Sequence, residues 1–181
     1  MDSRSLVFFE MTGEEIYGLA DPKRLNRVDK KSALGARRIH RASDKEEIIA
    51  ALVAGKVGVF REIWRLLLFA AQVGFKNRRR EPLSSIDSGK GIDQSTFGNC
   101  PAWPGILYLV ALVESDSSDV LSSSSDREEE RITAFQEYAN GGLALLAEFF
   151  KDRICDLDGL LAFIDTQISR SDLKTDLGFT I

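Results

Sequence analysis

The chain has few of the residues on which active sites and disulfide frameworks are commonly built. It contains one histidine, His40, and two cysteines, Cys100 and Cys155, among 181 residues. A single histidine excludes nucleases and hydrolases that use paired histidines, and two widely separated cysteines make neither a metal knuckle nor a disulfide framework. We therefore expect a protein of a reducing compartment, the cytoplasm, with no metal site.

Long apolar runs and nucleotide-binding motifs are also missing. The longest uncharged apolar stretches, residues 66–71 and 106–113, are far shorter than the roughly 20 residues that span a bilayer. The apolar run at residues 6–9 is followed by acids, unlike a signal peptide. Neither GxxxxGK[ST] nor GxGxxG occurs, and no serine lies in a nucleophile elbow. The sequence predicts no membrane insertion, no cofactor and no catalytic residue.

A nuclease subunit stays open as an alternative. Asp21 with Asp29-Lys30-Lys31 approximates the acid and acid-x-Lys pattern of a metal-dependent nuclease. That segment lacks the apolar strand that would bring the carboxylates together. Activity would then require a partner subunit.

Charge is distributed unevenly along the chain. Between Asp21 and Arg80 there are 16 Lys or Arg against 6 Asp or Glu, whereas residues 81–181 carry 7 against 18. This asymmetry suits a phosphate backbone on one face and a basic partner on another. The alternative is that the two halves neutralise each other within the fold.

The hydrophobic pattern predicts an all-α, single-domain bundle of about five to six helices with a buried central helix. The central helix starts near Phe60, is apolar on most sides, and is ended or bent at Gly74. It leads directly into Lys76, Arg78, Arg79 and Arg80. An irregular arm is predicted at residues 1–36, the helical domain at 37–170 and a tail at 171–181.

Sequence signals also delimit the other helices. Capping boxes at Ser43–Glu46 and Ser125–Glu128 predict two helix starts, and Asp156 predicts a third. Residues 84–99 are predicted to be a loop, residues 106–113 a buried helix or short core strand, and residues 115–126 a flexible connection with one short turn near Val120.

Two of these helices have predicted apolar faces. The long helix has a stripe that keeps its phase across Asn140-Gly141-Gly142, which indicates either one continuous helix with a close-packing notch or two helices sharing a face. The stripe consists of Ile132, Phe135, Ala139, Leu143, Leu146 and Phe150. On the last helix the predicted face consists of Leu157, Leu160, Leu161, Ile164 and Ile168.

The basic residues on either side of the first two helices are the strongest functional candidates. Guanidinium groups bind phosphate oxygens in a forked geometry and would give salt-dependent affinity for DNA. They could converge if the helices form an antiparallel hairpin, or they could instead pair with the acidic half of the chain, Glu81 and Asp87 included. The predicted DNA-binding residues are Arg37, Arg38, Arg41, Lys76, Asn77, Arg78, Arg79 and Arg80.

Four ordered motifs carry a family resemblance. They are RRIHR at 37–41, DKEEI at 44–48, LFAAQVGFKNRRREPL at 68–83 and EYANGGL at 137–143. Together they resemble the DNA phosphorothioation-associated protein 4 family, small proteins encoded beside the Dnd genes that replace a phosphate oxygen of DNA with sulfur. The resemblance covers residues 37–168, and the first 35 residues lie outside it.

The resemblance implies a non-catalytic accessory role in Dnd-linked restriction or antiviral defence, and it assigns no catalytic residue. The implied partners are duplex DNA, contacted through its phosphate backbone, or protein subunits of a defence complex. A protein-interaction module without DNA contact stays open as an alternative. The family's FKN-RREPL and EYANGGL stretches are the expected functional surfaces, with Glu137, Tyr138 and Asn140 expected to bind a partner.

Overall fold

The computed structural model describes residues 37–53, 58–115 and 117–175, the last six by their backbone alone. All of them belong to one compact unit, residues 36–181. The arm predicted at residues 1–36 and the tail beyond residue 175 lie outside the described residues, so these two assignments stay predictions. Backbone helix continues through residues 171–175, the start of the predicted tail.

The described residues form six α-helices and a two-stranded sheet, which confirms the predicted all-α bundle. Each helix and strand is numbered here in chain order. The strands are β1 (Arg38–Ile39) and β2 (Ile92–Asp93), and the helices are α1 (Glu46–Val53), α2 (Ile63–Lys76), α3 (Gln94–Phe97), α4 (Gly105–Ser115), α5 (Ser125–Phe150) and α6 (Leu157–Thr175). Within the described ranges, no helix is both long and apolar enough to cross a membrane.

Helices α2 and α5 form the centre of the bundle and have the most extensive contact of any pair of elements. Leu66 and Leu67 of α2 and Phe135, Leu143 and Leu146 of α5 have at most 1% of their surface exposed. These residues belong to one apolar cluster, and apolar burial is the main force that stabilises such a bundle. The prediction of a buried central helix is therefore confirmed, although α2 begins at Ile63 rather than near Phe60.

Helix α5 is continuous through Asn140, Gly141 and Gly142. All six residues of its predicted apolar stripe are buried. Of the two predicted alternatives, one helix with a close-packing notch is confirmed. The prediction that Gly74 ends or bends α2 is wrong, because Gly74 lies within the helix and faces the main chain of Tyr138.

The predicted helix starts are only partly correct. Ser124, not Ser125, caps α5 by accepting a hydrogen bond from the Arg127 amide. Ser43 does not cap α1, because residues 43–45 form a 3-10 turn and Glu46 bonds to Arg41 instead. The cap by Asp156 is confirmed, since its Oδ1 accepts the Gly159 amide at 2.8 Å.

The loop predicted at residues 84–99 contains regular structure. It includes a 3-10 turn at Ser88–Lys90, followed by β2 and α3. β2 pairs antiparallel with β1, with Arg38 opposite Asp93 and Ile39 opposite Ile92. This pairing and the burial of Ile39, at 1% exposure, attach the Arg37–Arg41 segment to the bundle.

Helices α4 and α6 are less enclosed than their sequences predict. On α4, Leu107, Val110 and Ala111 are buried, but Leu109 and Val113 are 59% and 60% exposed, so the expected all-round burial is wrong. On α6 the buried side chains are Leu160, Phe163 and Gln167, whereas Leu157, Leu161 and Ile168 of the predicted face are exposed. The turn predicted near Val120 is confirmed as the 3-10 helix Ser118–Leu121, with Val120 fully buried.

Candidate interaction site at the arginine turn

The segment Asn77–Pro82, called the arginine turn below, closes the C-terminal end of α2. The Arg78 amide donates to the Phe75 carbonyl at 3.1 Å, and the Arg79 amide donates to the Gly74 carbonyl at 2.9 Å. These two bonds define a Schellman motif, whose C′ position adopts the left-handed conformation and is usually glycine. Arg78 occupies that position with a φ of 52°.

Helix α5 holds the arginine turn by hydrogen bonds to the main chain of the turn. The Glu81 amide donates to the Glu137 carbonyl at 3.1 Å. The Asn140 side-chain amide donates to the carbonyls of Glu81 and Pro82 at 3.3 and 3.1 Å. Gly141 allows the turn to approach α5 closely, because a Cβ on Gly141 would lie 2.0 Å from the Arg79 carbonyl oxygen. The FKN-RREPL and EYANGGL motifs therefore form one structural unit.

Arg79 is bound by two carboxylates. Its Nη1 and Nη2 donate to Glu148 Oε2 and Oε1 at 2.8 and 2.6 Å, a forked pair, and its Nε donates to Glu81 Oε1 at 2.6 Å. The hydrogen bonds to Glu148 and then Glu81 raise the pKa of Arg79 despite its partial burial. The Arg79 pair to Glu148 also holds the pKa of the Glu148 carboxyl below its usual value.

Arg80 joins a second network. Its Nε donates to Glu137 Oε2 at 2.6 Å and its Nη1 to Glu114 Oε1 at 2.7 Å. Burial disfavours its charge, but these two carboxylates outweigh burial and raise the Arg80 pKa. Glu114 also accepts the Tyr138 hydroxyl at 2.5 Å. The Tyr138 bond, followed by Arg80, lowers the Glu114 pKa.

Lys76 and Asn77 fasten the same end of α2 to α6. Lys76 Nζ donates to the Gln167 carbonyl at 2.8 Å. The Asn77 side-chain amide donates to Gln167 Oε1 and to the Val73 carbonyl, both at 2.8 Å. Gln167 itself is buried, so these contacts fix the bundle rather than present free donors.

Arg78 differs from its neighbours. Its side chain is exposed, and its guanidinium has neither a hydrogen bond nor an ion pair to any residue that the structure describes. Arg79 and Arg80, which flank it, are each held by two glutamates. The arginine turn therefore presents on a rigid support one cation, Arg78, that has no hydrogen-bond or ion-pair partner among the described residues.

Arg37, Arg38 and Arg41 lie elsewhere on the bundle. Arg37 pairs with Glu129 in the first part of α5 at 2.7 Å, and Arg38 pairs with Asp93 at 3.2 Å. Arg41 binds Glu46 and the Lys90 carbonyl. Glu129 and Glu148, the α5 partners of Arg37 and Arg79, are separated by about 28 Å at 1.5 Å per residue. The two groups of predicted DNA-binding residues thus contact different parts of α5.

The residues predicted to bind a partner are part of the support of the arginine turn. Tyr138 and Asn140 are 6% and 4% exposed, and the Glu137 carboxylate is held by Arg80. Tyr138 also packs edge-on against Phe75, with ring centroids 5.3 Å apart. Their role in partner binding stays a prediction, and a partner would sense them mainly through the turn they hold.

Sequence reasoning did not identify Glu114, Glu148 and Gln167, which hold the cations in place. Each is distant in sequence from the cation it binds, and no local pattern marks it. The sequence marks Gly74 but predicts the wrong role for it, because close approach to another helix leaves no signature in a single segment.

Acidic and other metal-ligating side chains form no cluster suited to a metal site in the part of the chain that the structure describes. Among the described residues, no three or more His, Cys, Asp or Glu side chains are placed to hold a metal ion. Asp21, Asp29, Lys30 and Lys31, the alternative nuclease pattern, lie outside the described residues. The arrangement at the arginine turn can bind an anionic group, and it offers no nucleophile with an adjacent base.

Comparison with known proteins identifies the family. The chain belongs to the family of DNA sulphur modification system-associated protein 4, whose family model matches residues 38–180. The match contains the arginine turn and the whole of α5. It confirms the resemblance drawn from the four motifs and associates the chain with a DNA sulphur modification (Dnd) system. No curated protein and no solved structure matches the chain.

Proposed function

We propose that this member of the family is a non-catalytic accessory component of a Dnd-linked restriction or defence system, and that it docks on a DNA-processing protein of that system. The docking surface is the arginine turn, and Arg78 is its principal contact. The observation that carries this proposal is the exposed guanidinium of Arg78, which has no hydrogen-bond or ion-pair partner in the part of the chain that the structure describes and stands on a backbone position that favours glycine.

The conformation of Arg78 supports a binding role. A non-glycine residue in the left-handed region costs about 1 to 2 kcal/mol, and such residues cluster at binding and switch sites. No hydrogen bond or ion pair of the Arg78 side chain within the described residues offsets that cost. Glycine at this position would stabilise the fold more, so the presence of arginine is best explained by an external contact.

The charges around the turn favour a protein partner over duplex DNA. Lys76, Arg78, Arg79 and Arg80 are matched in number by Glu81, Glu114, Glu137 and Glu148, which lie beside them. Affinity for DNA rises with the number of phosphates that free cations neutralise, and three of these four cations already have partners. A single exposed arginine at the centre of an interface is, by contrast, a common hot spot of protein complexes.

Binding to purified proteins of the Dnd system from the same organism tests this proposal. Immobilised wild-type protein should capture one of them, and Arg78→Glu should weaken that capture at least about ten-fold, because a hot-spot charge is reversed. Arg65→Glu is the matched control, since Arg65 is an exposed arginine of α2 outside the turn. Equal capture by wild type and Arg78→Glu would contradict the proposal.

Direct contact with DNA is the second candidate function. It is favoured by Arg37 and Arg38, because the ion pairs of both arginines are solvent-exposed. In the sequence, these two arginines follow directly after the basic segment 21–36. Exposed pairs of this kind contribute about 0 to 1 kcal/mol, so a phosphate can displace the carboxylate.

A mobility-shift titration at two salt concentrations separates the two candidates. Direct DNA binding predicts an affinity that falls steeply with salt and a smaller salt slope for Arg37→Gln/Arg38→Gln. Changing Arg78, Arg79 and Arg80 together to Glu tests whether the arginine turn takes part. If the triple change leaves both affinity and slope untouched, the turn does not contact DNA.

A further inference from the structure

A cavity of about 310 Å³, lined by both polar and apolar surface, lies between β1 and α5, away from the arginine turn. This volume is at the lower end of the roughly 300 to 1,000 Å³ typical of small-molecule sites. One wall carries Arg37, Arg38 and His40, and the other carries Glu129, Thr133 and Gln136. Two guanidiniums and an imidazole thus face a carboxylate, a hydroxyl and a side-chain amide across the cavity.

The cations of this cavity retain unused hydrogen-bonding capacity. Arg38 uses only Nε, in a 3.2 Å bond to Asp93 that leaves both residues about half exposed. Its two terminal nitrogens donate no hydrogen bond to any residue that the structure describes. Arg37 donates to Glu129 at 2.7 Å and to the Ser125 hydroxyl at 3.0 Å. Exposed pairs of this kind are readily exchanged for a stronger anion.

His40 is fixed at the rim of the cavity. Its backbone amide donates to the Gln136 side-chain carbonyl. Its ring lies against Gly91, where a Cβ would approach His40 Cε1 to 2.7 Å. Nδ1 of the ring is buried and has no hydrogen-bond partner within the described residues. Buried polar atoms without a partner are rare, and a bound ion is one of the reasons for them.

We propose that this cavity binds a phosphate group. The forked donors of arginine match phosphate oxygens, and Arg37 and Arg38 approach the cavity from adjacent positions of one chain segment. The Thr133 hydroxyl supplies a further donor from α5. Glu129 pairs with Arg37 in the free protein, and the phosphate takes its place on the guanidinium. This site is independent of the docking surface at the arginine turn.

The single histidine makes the proposal directly measurable. Because His40 is the only histidine of the chain, the ring nitrogen signals in a ¹⁵N NMR spectrum of untagged protein report on this cavity alone. Titration with inorganic phosphate at constant ionic strength should shift these signals saturably. The same titration with sodium chloride should not. Absence of a saturable shift would overturn the proposal.

Three variants locate the binding site. Arg38→Gln removes one forked donor and should weaken phosphate binding about ten-fold or more, as expected for a hydrogen bond to a charged group. Thr133→Val, which keeps the side-chain shape, should weaken binding less. Arg127→Gln is the control, because Arg127 forms an exposed ion pair on α5 outside the cavity wall. Equal affinity of wild type and Arg38→Gln would contradict the assignment.

The source of the phosphate is distinguished by three further probes. A nucleoside monophosphate that binds more tightly than inorganic phosphate indicates a nucleotide ligand. A 5′-phosphorylated oligonucleotide that binds more tightly than its 5′-hydroxyl counterpart indicates a DNA end. If neither gain is observed, inorganic phosphate is the ligand. If none of the probes shifts the His40 signals, the cavity does not bind phosphate.

Discussion

A Cβ atom added to Gly142 would lie 1.8 Å from the carbonyl oxygen of Ala70. Helices α2 and α5 therefore approach each other at this point more closely than any side chain permits. The same approach recurs at Gly74, where an added Cβ would lie 2.1 Å from the Tyr138 carbonyl oxygen. Glycines on both helices thus bring the end of α2, and with it the arginine turn, against the main chain of α5.

Gly142→Ala should destabilise the fold although alanine favours helix. The propensity gain is about 1 kcal/mol, but the methyl group would force two packed backbones apart, and overpacking typically costs about 1 to 3 kcal/mol or more. Because the clash is with a main-chain oxygen at 1.8 Å, the cost should reach the upper end of this range. We therefore expect a net loss of about 2 kcal/mol in the free energy of unfolding, measured by urea denaturation. Gly105→Ala is the control, because nothing lies within 4 Å of a Cβ there. Equal stability of the two variants would contradict this packing.

Asn140→Ala should loosen the arginine turn. The Asn140 side-chain amide is the donor to the Glu81 and Pro82 carbonyls, and it is 4% exposed. Loss of this amide leaves the two carbonyls without that donor, which should lower the free energy of unfolding by about 1 to 3 kcal/mol. Urea denaturation should show this loss, and amide hydrogen exchange of Glu81 should accelerate.

Asn99→Ala provides the comparison for this prediction. Asn99 donates to the Thr96 carbonyl at 3.0 Å but is exposed. Its loss should change the free energy of unfolding by less than about 0.5 kcal/mol. If Asn140→Ala behaves like Asn99→Ala, the asparagine does not hold the turn.

Stability at alkaline pH should depend on Tyr138. Burial, followed by the hydrogen bond to Glu114, raises the pKa of Tyr138 to about 12. The folded protein therefore holds the phenolic proton more tightly than the unfolded chain, whose tyrosines titrate near pH 10. The contribution of Tyr138 to the free energy of unfolding is therefore complete below pH 10 and is lost as the pH rises toward 12.

The size of this loss follows from the shift. Between pH 10 and 12 the free energy of unfolding of the wild type should fall by up to about 2 to 3 kcal/mol more than that of Tyr138→Phe, at about 1.4 kcal/mol per pKa unit. Urea denaturation across this pH range measures the difference. Parallel pH profiles for wild type and Tyr138→Phe would show that Tyr138 is not held by Glu114.

The sequence predicts the strongly periodic parts of this fold well. The stripe from Ile132 to Phe150 identifies the buried side of α5, since six apolar residues repeat with the helical period. Weaker signals fail for physical reasons. β2 has two residues and α3 has four, too few to show a period. Leu109 and Val113 show that an apolar sequence does not fix which side of a helix is covered.

The candidate site could be predicted only in part. The motifs place three arginines after α2, but they predict equivalent cations. The structure separates Arg78, which has no hydrogen-bond or ion-pair partner within the described ranges, from Arg79 and Arg80, which four glutamates hold. This distinction depends on Glu114 and Glu148, which reach the turn through helix packing. Neither is close to the arginines in sequence.

Arg78→Gly tests the account most directly, because it separates the stability of the turn from its function. Glycine accepts the φ of 52° without strain, so the variant should gain about 1 kcal/mol in the free energy of unfolding. The same variant should bind the Dnd partner at least about ten-fold more weakly. A variant that is more stable and binds as well as the wild type would contradict the central claim that Arg78 is kept for docking.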